Sequence, residues 1–386
     1  MCIPQNHYVM KQILYKMGQS VIKKLRITEF DWLKTLALLL IVFVHSDLFF
    51  VFPEIIFPTE WFLVSCFFFV SGFLAYNSLH KRGSSVQKFL KSKILSLYIP
   101  FVTISIFYSI LQSIIGKMPL NVTQVLSQIT LFNIFDVLNS SYNWDFLWFI
   151  PYLLIFMIFF CFIEKYIPNP KWQFLLVSSL WLLTIFLWVV DFSLKIGQVF
   201  SQYFLIFIVG FWLNKFSIYQ KVTRLRVGLI MVPLVALFTV DLSNFFNFNT
   251  ATETLKYLLY SNGRSIIFSL SAVLLVLIIL REVNIPSNLF VTWVATISIL
   301  IYFMDPLFNY LISNYIFRQP IIYFSAGLEF WSYILFRIVA LFVIFPFAVK
   351  AIYKLFIRIR LSLNFNGNNN KKARENKQFG VNMNVY

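Results

Sequence analysis

RITEFDWLKTLALLLIVFVH, residues Arg26 to His45, opens on a basic residue, passes Asp31 and Lys34, and runs through a largely apolar stretch to a single histidine. At about 100° per residue, the steps from Lys34 to His45 return to within roughly 20° of the starting direction, about 16 Å further along a helix. The two side chains therefore share one face, and Asp31, one turn before Lys34, lies close to it. Ionisable groups on a membrane-spanning helix normally look into a protein interior or a wet cavity. The plainer alternative for Asp31 and Lys34 is that they anchor the helix at the headgroups. For His45, well inside the apolar run, the plainer alternative is a structural histidine bonded to a neighbouring helix.

The rest of the chain agrees with a bilayer setting. Of 386 residues, 60% are hydrophobic and 20% aromatic, and the mean hydropathy is +0.78, beyond what a soluble domain carries. A span takes about 20 apolar residues, and about ten such runs fit the sequence with short connections, which leaves no separate soluble domain. The expected fold is all-α, a polytopic membrane helical bundle with about ten transmembrane helices. A formal charge of +17 does not indicate nucleic acid, because the basic residues form no single patch interleaved with aromatics. They sit at alternate ends of the apolar runs, the positive-inside pattern. With both the N- and C-termini cytoplasmic, about 25 of the 32 Lys and Arg residues fall inside and about five outside. Cys2, Cys66 and Cys161 have no metal-ligand spacing and read as packing residues, so no metal centre is expected. The first thirty residues lack an apolar core with a small-residue cleavage site, so no signal peptide is expected.

In order, residues 1–30 read as a basic cytoplasmic segment, 31–360 as the transmembrane domain, and 361–386, beginning LSLNFNGNNNKK, as a disordered cytoplasmic tail. Expected spans are 33–51, 61–76, 94–115, 146–160, 172–190, 199–213, 227–240, 265–280, 289–312 and a last one from about Phe330 that contains Arg337. Pro53 and Pro58 are expected to break the chain into an outer loop, and the basic run from Lys81 to Lys93 reads as an inner loop. The run from Asp241 to Gly263 reads as a polar outer loop. Between Gly116 and Asp145, spaced Leu, Ile and Phe predict a helix on the surface or tucked between spans. Asp305, just before Pro306 in an apolar run, either holds an imidazole tautomer, pairs with a cation such as Arg337, or marks a helix break made by the proline.

Taken together, these residues resemble the membrane acyltransferase-3 family, integral-membrane O-acyltransferases that modify cell-surface glycans. Its first transmembrane helix carries an aspartate, an arginine, ten further residues and a histidine, and Asp31, Lys34 and His45 fall at those places with lysine for arginine. The change matters, since a guanidinium grips phosphate with two parallel hydrogen bonds and an ammonium acts as a point charge. Ser71, Gly72 and Pro100 match the family's serine-glycine pair and later proline; Lys93 stands at the first position of its dibasic motif and Ser96 at the second. Trp148 with Pro151 is similar to a tryptophan-phenylalanine signature. Asp305 precedes a proline where family members often carry histidine.

The resemblance implies an acyltransferase at the cell membrane with no bound cofactor. It would take an acyl group, acetyl in the case of polysaccharide O-acetylation, from acyl-coenzyme A as co-substrate to a hydroxyl of a cell-surface glycan or lipid-linked sugar. His45 would be the base or transient acyl carrier, Lys34 would orient the donor, and Asp305 would support the site. Lys91 and Lys93 would hold donor phosphates, although positive-inside topology alone also accounts for them. Asp31, Ser71, Trp148 and Arg337 are the expected supporting residues. A polysaccharide transporter or exporter using the same charged cavity without acyl transfer is the alternative from another class, and a non-catalytic membrane subunit a third.

Overall fold

The structure, a computed structural model, describes residues 27–45, 53–80, 85–114, 122–130, 148–190, 199–218, 251–286, 288–312, 316 and 327–349. Over these residues it is helical, with no strand. The chain divides into two compact units, 1–298 and 299–386.

In the first unit, α1 (Thr28–Phe43) carries Glu29 and Asp31 in its opening turn, where negative charge suits the helix dipole. The central element is α2 (Pro53–Leu79), which packs against α1 and against helices introduced below. Helix α3 (Val86–Lys93) continues through a π-helical turn, Ile94–Tyr98, into α4 (Ile99–Ile114). Next come the short α5 (Val122–Ile129), then α6 (Phe149–Tyr166) and α7 (Pro170–Val190). A π turn at Phe200–Phe204 leads into α8 (Leu205–Lys215), and the long α9 (Ala251–Glu282) is followed by α10 (Leu289–Thr296). The second unit holds most of α11 (Ser298–Leu311), then α12 (Leu328–Val339) and its π continuation Ala340–Ile344.

Six helices among the described residues are long and apolar enough to cross a membrane, or seven if α10 and α11 count as one broken span. The protein is therefore a multi-pass membrane protein, but ten spans are not reached among these residues. The expected span 227–240 and the tail 361–386 lie outside them. The described α-helices α1 and α8 have 16 and 11 residues, short of a full crossing.

Several expected boundaries move. Pro53 starts α2 rather than a loop, and the helix runs through Pro58; Pro53 stands in the first turn, where the amide has no partner to lose. The basic run expected as a loop is helical from Val86, capped by Ser85, whose Oγ accepts from the Lys88 amide at 3.2 Å. Helix α9 begins at Ala251, inside the run read as a polar loop. Most telling, α11 continues through Pro306, and the interruption lies earlier, at Ile297. There Thr296 Oγ1 bonds back to the Thr292 carbonyl at 2.7 Å and Ser298 Oγ to Ala295 at 3.0 Å, a competition with the helical ladder that favours bending or ending a helix.

Helices α2 and α8 meet backbone to backbone. A Cβ placed on Gly72 would overlap the Phe207 carbonyl oxygen, and one on Gly210 would overlap that of Phe69. Small residues allow such an approach between spans. Asn214 seals the same contact by donating Nδ2–H to the Phe73 carbonyl at 2.6 Å. Alanine at either glycine is expected to force the helices apart at a cost of about 1–3 kcal/mol. Gly263→Ala, where nothing lies within 4 Å, should instead be neutral or stabilising by up to about 1 kcal/mol. Thermal unfolding of the purified protein in detergent distinguishes the two signs.

Candidate functional site

The face of α1 that carries Asp31, Lys34 and His45 looks into the first unit. Leu38 and Ile41, which share it, are buried, while Leu36 on the other side is exposed. Asp31 is only 7% exposed, which disfavours a headgroup anchor, and Lys34 and His45 are half-buried. Two contacts fix the rotation of the helix: Trp32 Nε1 donates to the Pro286 carbonyl at 3.4 Å, and Thr35 Oγ1 to Val291 at 3.5 Å. Phe30 packs edge-on against Phe73 of α2, with ring centroids 4.7 Å apart. His45 lies where the α-helix opens into π geometry at residues 44–45, a widening often found at functional positions. A half-buried imidazole there can accept a proton from a hydroxyl or take an acyl group on a ring nitrogen.

Lys91 and Lys93 stand in the first two turns of the α3–α4 span rather than in a loop. Lys91 is exposed; Lys93 is half-buried, its Nζ 5.3 Å from the Phe89 ring centroid. Ser71 is half-buried beside the Gly72 crossing. Trp148, at the start of α6, belongs to an aromatic cluster with Phe68, Tyr152 and Tyr203, with centroids 5.6 Å from Tyr203 and 6.1 Å from Tyr152. Phe68 and Tyr203 themselves stack at 5.1 Å.

In the second unit, Asp305 and Arg337 are both fully buried and bonded to each other. Arg337 Nη2 donates to Asp305 Oδ1 at 2.6 Å and Nε to the same oxygen at 3.0 Å. Of the readings of Asp305, the ion pair with Arg337 is found, and Pro306 marks no break. Arg337 Nη1 also lies 3.2 Å from Tyr333 Oη, and the tyrosine donates in turn to Asn309 Oδ1. Sequence reading missed Tyr333 and Asn309. Each lies four residues from its ion-pair neighbour on the same helix, the spacing that brings side chains together, so the signal was there.

A second tie had no such signal. At the ends of α6, α7 and α8, Lys215 Nζ donates to Glu164 at 2.8 and 2.9 Å and to Gln173 Oε1 at 3.1 Å. Gln173 Nε2 reaches Glu164 at 2.8 Å and the Ile167 carbonyl at 2.7 Å, and His80 Nε2 lies 3.5 Å from Glu164. Glu164 and Gln173 face each other across the short turn between α6 and α7, while Lys215 comes from α8, about fifty residues on. Cys66 and Cys161 are buried free thiols, and Cys2 lies outside the described residues. Among the described residues no three His, Cys, Asp or Glu side chains gather as a metal site.

Comparison with known proteins returns one informative match. No curated protein and no solved structure is similar enough to report. A family model described as an acyltransferase domain, that of the acyltransferase-3 family, matches residues 27–353, from the residue before α1 to beyond α12. That match covers most of the chain and takes in both the His45 face and the Asp305–Arg337 pair, so the chain belongs to the acyltransferase-3 family and is a membrane acyltransferase.

Proposed function

We propose that the protein transfers an acyl group, acetyl in the simplest case, from acyl-coenzyme A to a hydroxyl of a cell-surface or lipid-linked glycan. The observation that carries this reading is the protein-facing side of α1, where a half-buried imidazole shares a face with a buried carboxylate and an ammonium. His45 accepts the proton of the sugar hydroxyl as its oxygen attacks the thioester carbonyl. The C–S bond then breaks, and the leaving thiolate takes the proton from the imidazolium to give free coenzyme A. A two-step course through an acylated ring nitrogen has the same balance. Lys34 offsets negative charge on the donor or on the carbonyl oxygen as it develops, and Asp31 keeps that ammonium oriented. Lys91 and Lys93, at one end of the α3–α4 span, hold donor phosphates as point charges. Asp305, held by Arg337, supports the site. The setting is the cell membrane, with both termini and the lysine-rich helix ends in the cytoplasm, where acyl-coenzyme A is found.

Proteoliposomes with labelled acetyl-coenzyme A on the lysine-rich side and an oligosaccharide on the other test this reading. Label on the oligosaccharide, dependent on the donor, is expected. Passage of unmodified polysaccharide with no donor present would instead establish a transporter.

A further inference from the structure

Helix α5 (Val122–Ile129) lies against α4 at an unexpected depth. Along the α3–α4 span, apolar side chains are exposed from Ile94, Leu95 and Ile99 through Ile110 to Ile114. At 1.5 Å per residue this band is about 30 Å long, the thickness of a bilayer's hydrocarbon core, so lipid surrounds α4 to its end. Tyr98 lies about 24 Å below Ile114 on the same scale. Its Oη donates to the Ile129 carbonyl at 2.8 Å, which puts the C-terminal end of α5 at that level. The C-terminal end of α5 thus lies most of the way back through the membrane from the end of α4.

Such a helix cannot lie in lipid alone. Its last carbonyls lack partners within the helix, and hydrocarbon offers none. Thr130 caps Leu126 through both its amide and its hydroxyl, at 2.9 and 2.7 Å, yet Thr130 itself is exposed, as is Thr123. Seven residues apart, the two threonines share one face within about 20°. A second observation comes from α4. Ser105 shares the Tyr98 face two turns nearer Ile114, is fully buried, and has an Oγ with no hydrogen-bond partner among the described residues. An orphan hydroxyl at this depth calls for water or another hydroxyl.

We propose that α5 is a re-entrant helix forming one wall of a hydrated cleft, open at the face where α4 ends and reaching down to Tyr98. The cleft takes hydroxyl-bearing, water-soluble groups, and its floor lies about 8 Å along the axis from Lys93. It is the path by which a sugar hydroxyl from one side of the membrane reaches the level of a donor held from the other. The assignment of sugar as occupant rests on the acyltransferase reading; the water-filled cleft does not.

Single-cysteine variants in a background with Cys2, Cys66 and Cys161 replaced by alanine test it. Sealed vesicles carrying Thr130→Cys, Thr123→Cys, Ile114→Cys or Leu95→Cys are treated on each side with a charged, membrane-impermeant thiosulfonate. Ile114→Cys defines the face at which α4 ends, and Leu95→Cys reports a thiol held in lipid. A thiol needs water to form its reactive thiolate, so Thr130→Cys is expected to react from the Ile114 face at least ~100-fold faster than Leu95→Cys. Thr123→Cys, on the same face of α5, should follow it and keeps the test alive if Thr130→Cys does not fold. Reaction no faster than that of Leu95→Cys, or reaction only from the opposite face, would overturn the cleft. A labelled cleft in a protein that transfers no acyl group would leave the cleft standing and remove only its sugar.

Discussion

Arg337→Met alone is expected to cost about 3–5 kcal/mol of stability, and adding Asp305→Leu to recover most of it. Both side chains of the pair are 0% exposed, and two arginine nitrogens converge on Asp305 Oδ1. Removing the guanidinium leaves a fully buried carboxylate without its arginine partner, and that desolvation penalty is the larger part of the loss. Removing both charges abolishes the penalty, so an apolar pair of similar volume restores the fold. Asp305→Asn is milder in shape but strands the arginine charge, and should fall between the single and double variants. Thermal unfolding in detergent is the measurement, with activity read on the same samples. A double variant as stable as the parent and fully active would make the pair a structural relic. A stable but inactive double variant is the expected result, because the bonds to Tyr333 and Asn309 tie the pair to the positions of α11 and α12. Single variants as stable as the parent would contradict the burial on which the expectation stands.

His45→Ala is expected to lower the rate of acyl transfer by about 10²–10⁴-fold, the range of a positioned general base. Its effect on stability should stay within about 1 kcal/mol, since the ring is half-buried rather than packed in the core. That split separates catalysis from structure, because a structural histidine would lower stability and rate together. Lys34→Met should act mainly on the donor, raising its KM. Lys34→Arg, which supplies the guanidinium usual in the family, should preserve activity.

Much of this is legible in the sequence. The α1 face follows from the helical repeat alone, and its burial follows because ionisable groups in a span cannot face lipid. The same cost made Asp305 and Arg337 conspicuous and their pairing a natural guess. Helix ends were harder. The charge of the basic run before Ile94 suggests a loop, but Lys91 and Lys93 carry long apolar stems that can lie along a helix while the ammonium reaches water, and Ser85 supplies a cap. Proline misled at Pro306, because the freed carbonyl one turn earlier is tolerable where neighbouring groups satisfy it. The real interruption at Ile297 is written in hydroxyls, Thr296 and Ser298, that bond back to their own helix. Contacts between distant helices were the least legible. Nothing in the neighbourhood of Gly72 announces Phe207, and nothing near Glu164 announces Lys215.

Donor-derived label on a sugar, and its dependence on one ring, tests the central claim most directly. Purified protein is incubated with acetyl-coenzyme A labelled in the acetyl carbonyl and with an oligosaccharide acceptor, and acceptor-bound label is counted for the parent and for His45→Ala. Label that accumulates with the parent and falls at least ~100-fold with the variant is expected. Equal label on the acceptor from both proteins would show that the imidazole of His45 takes no part in the transfer.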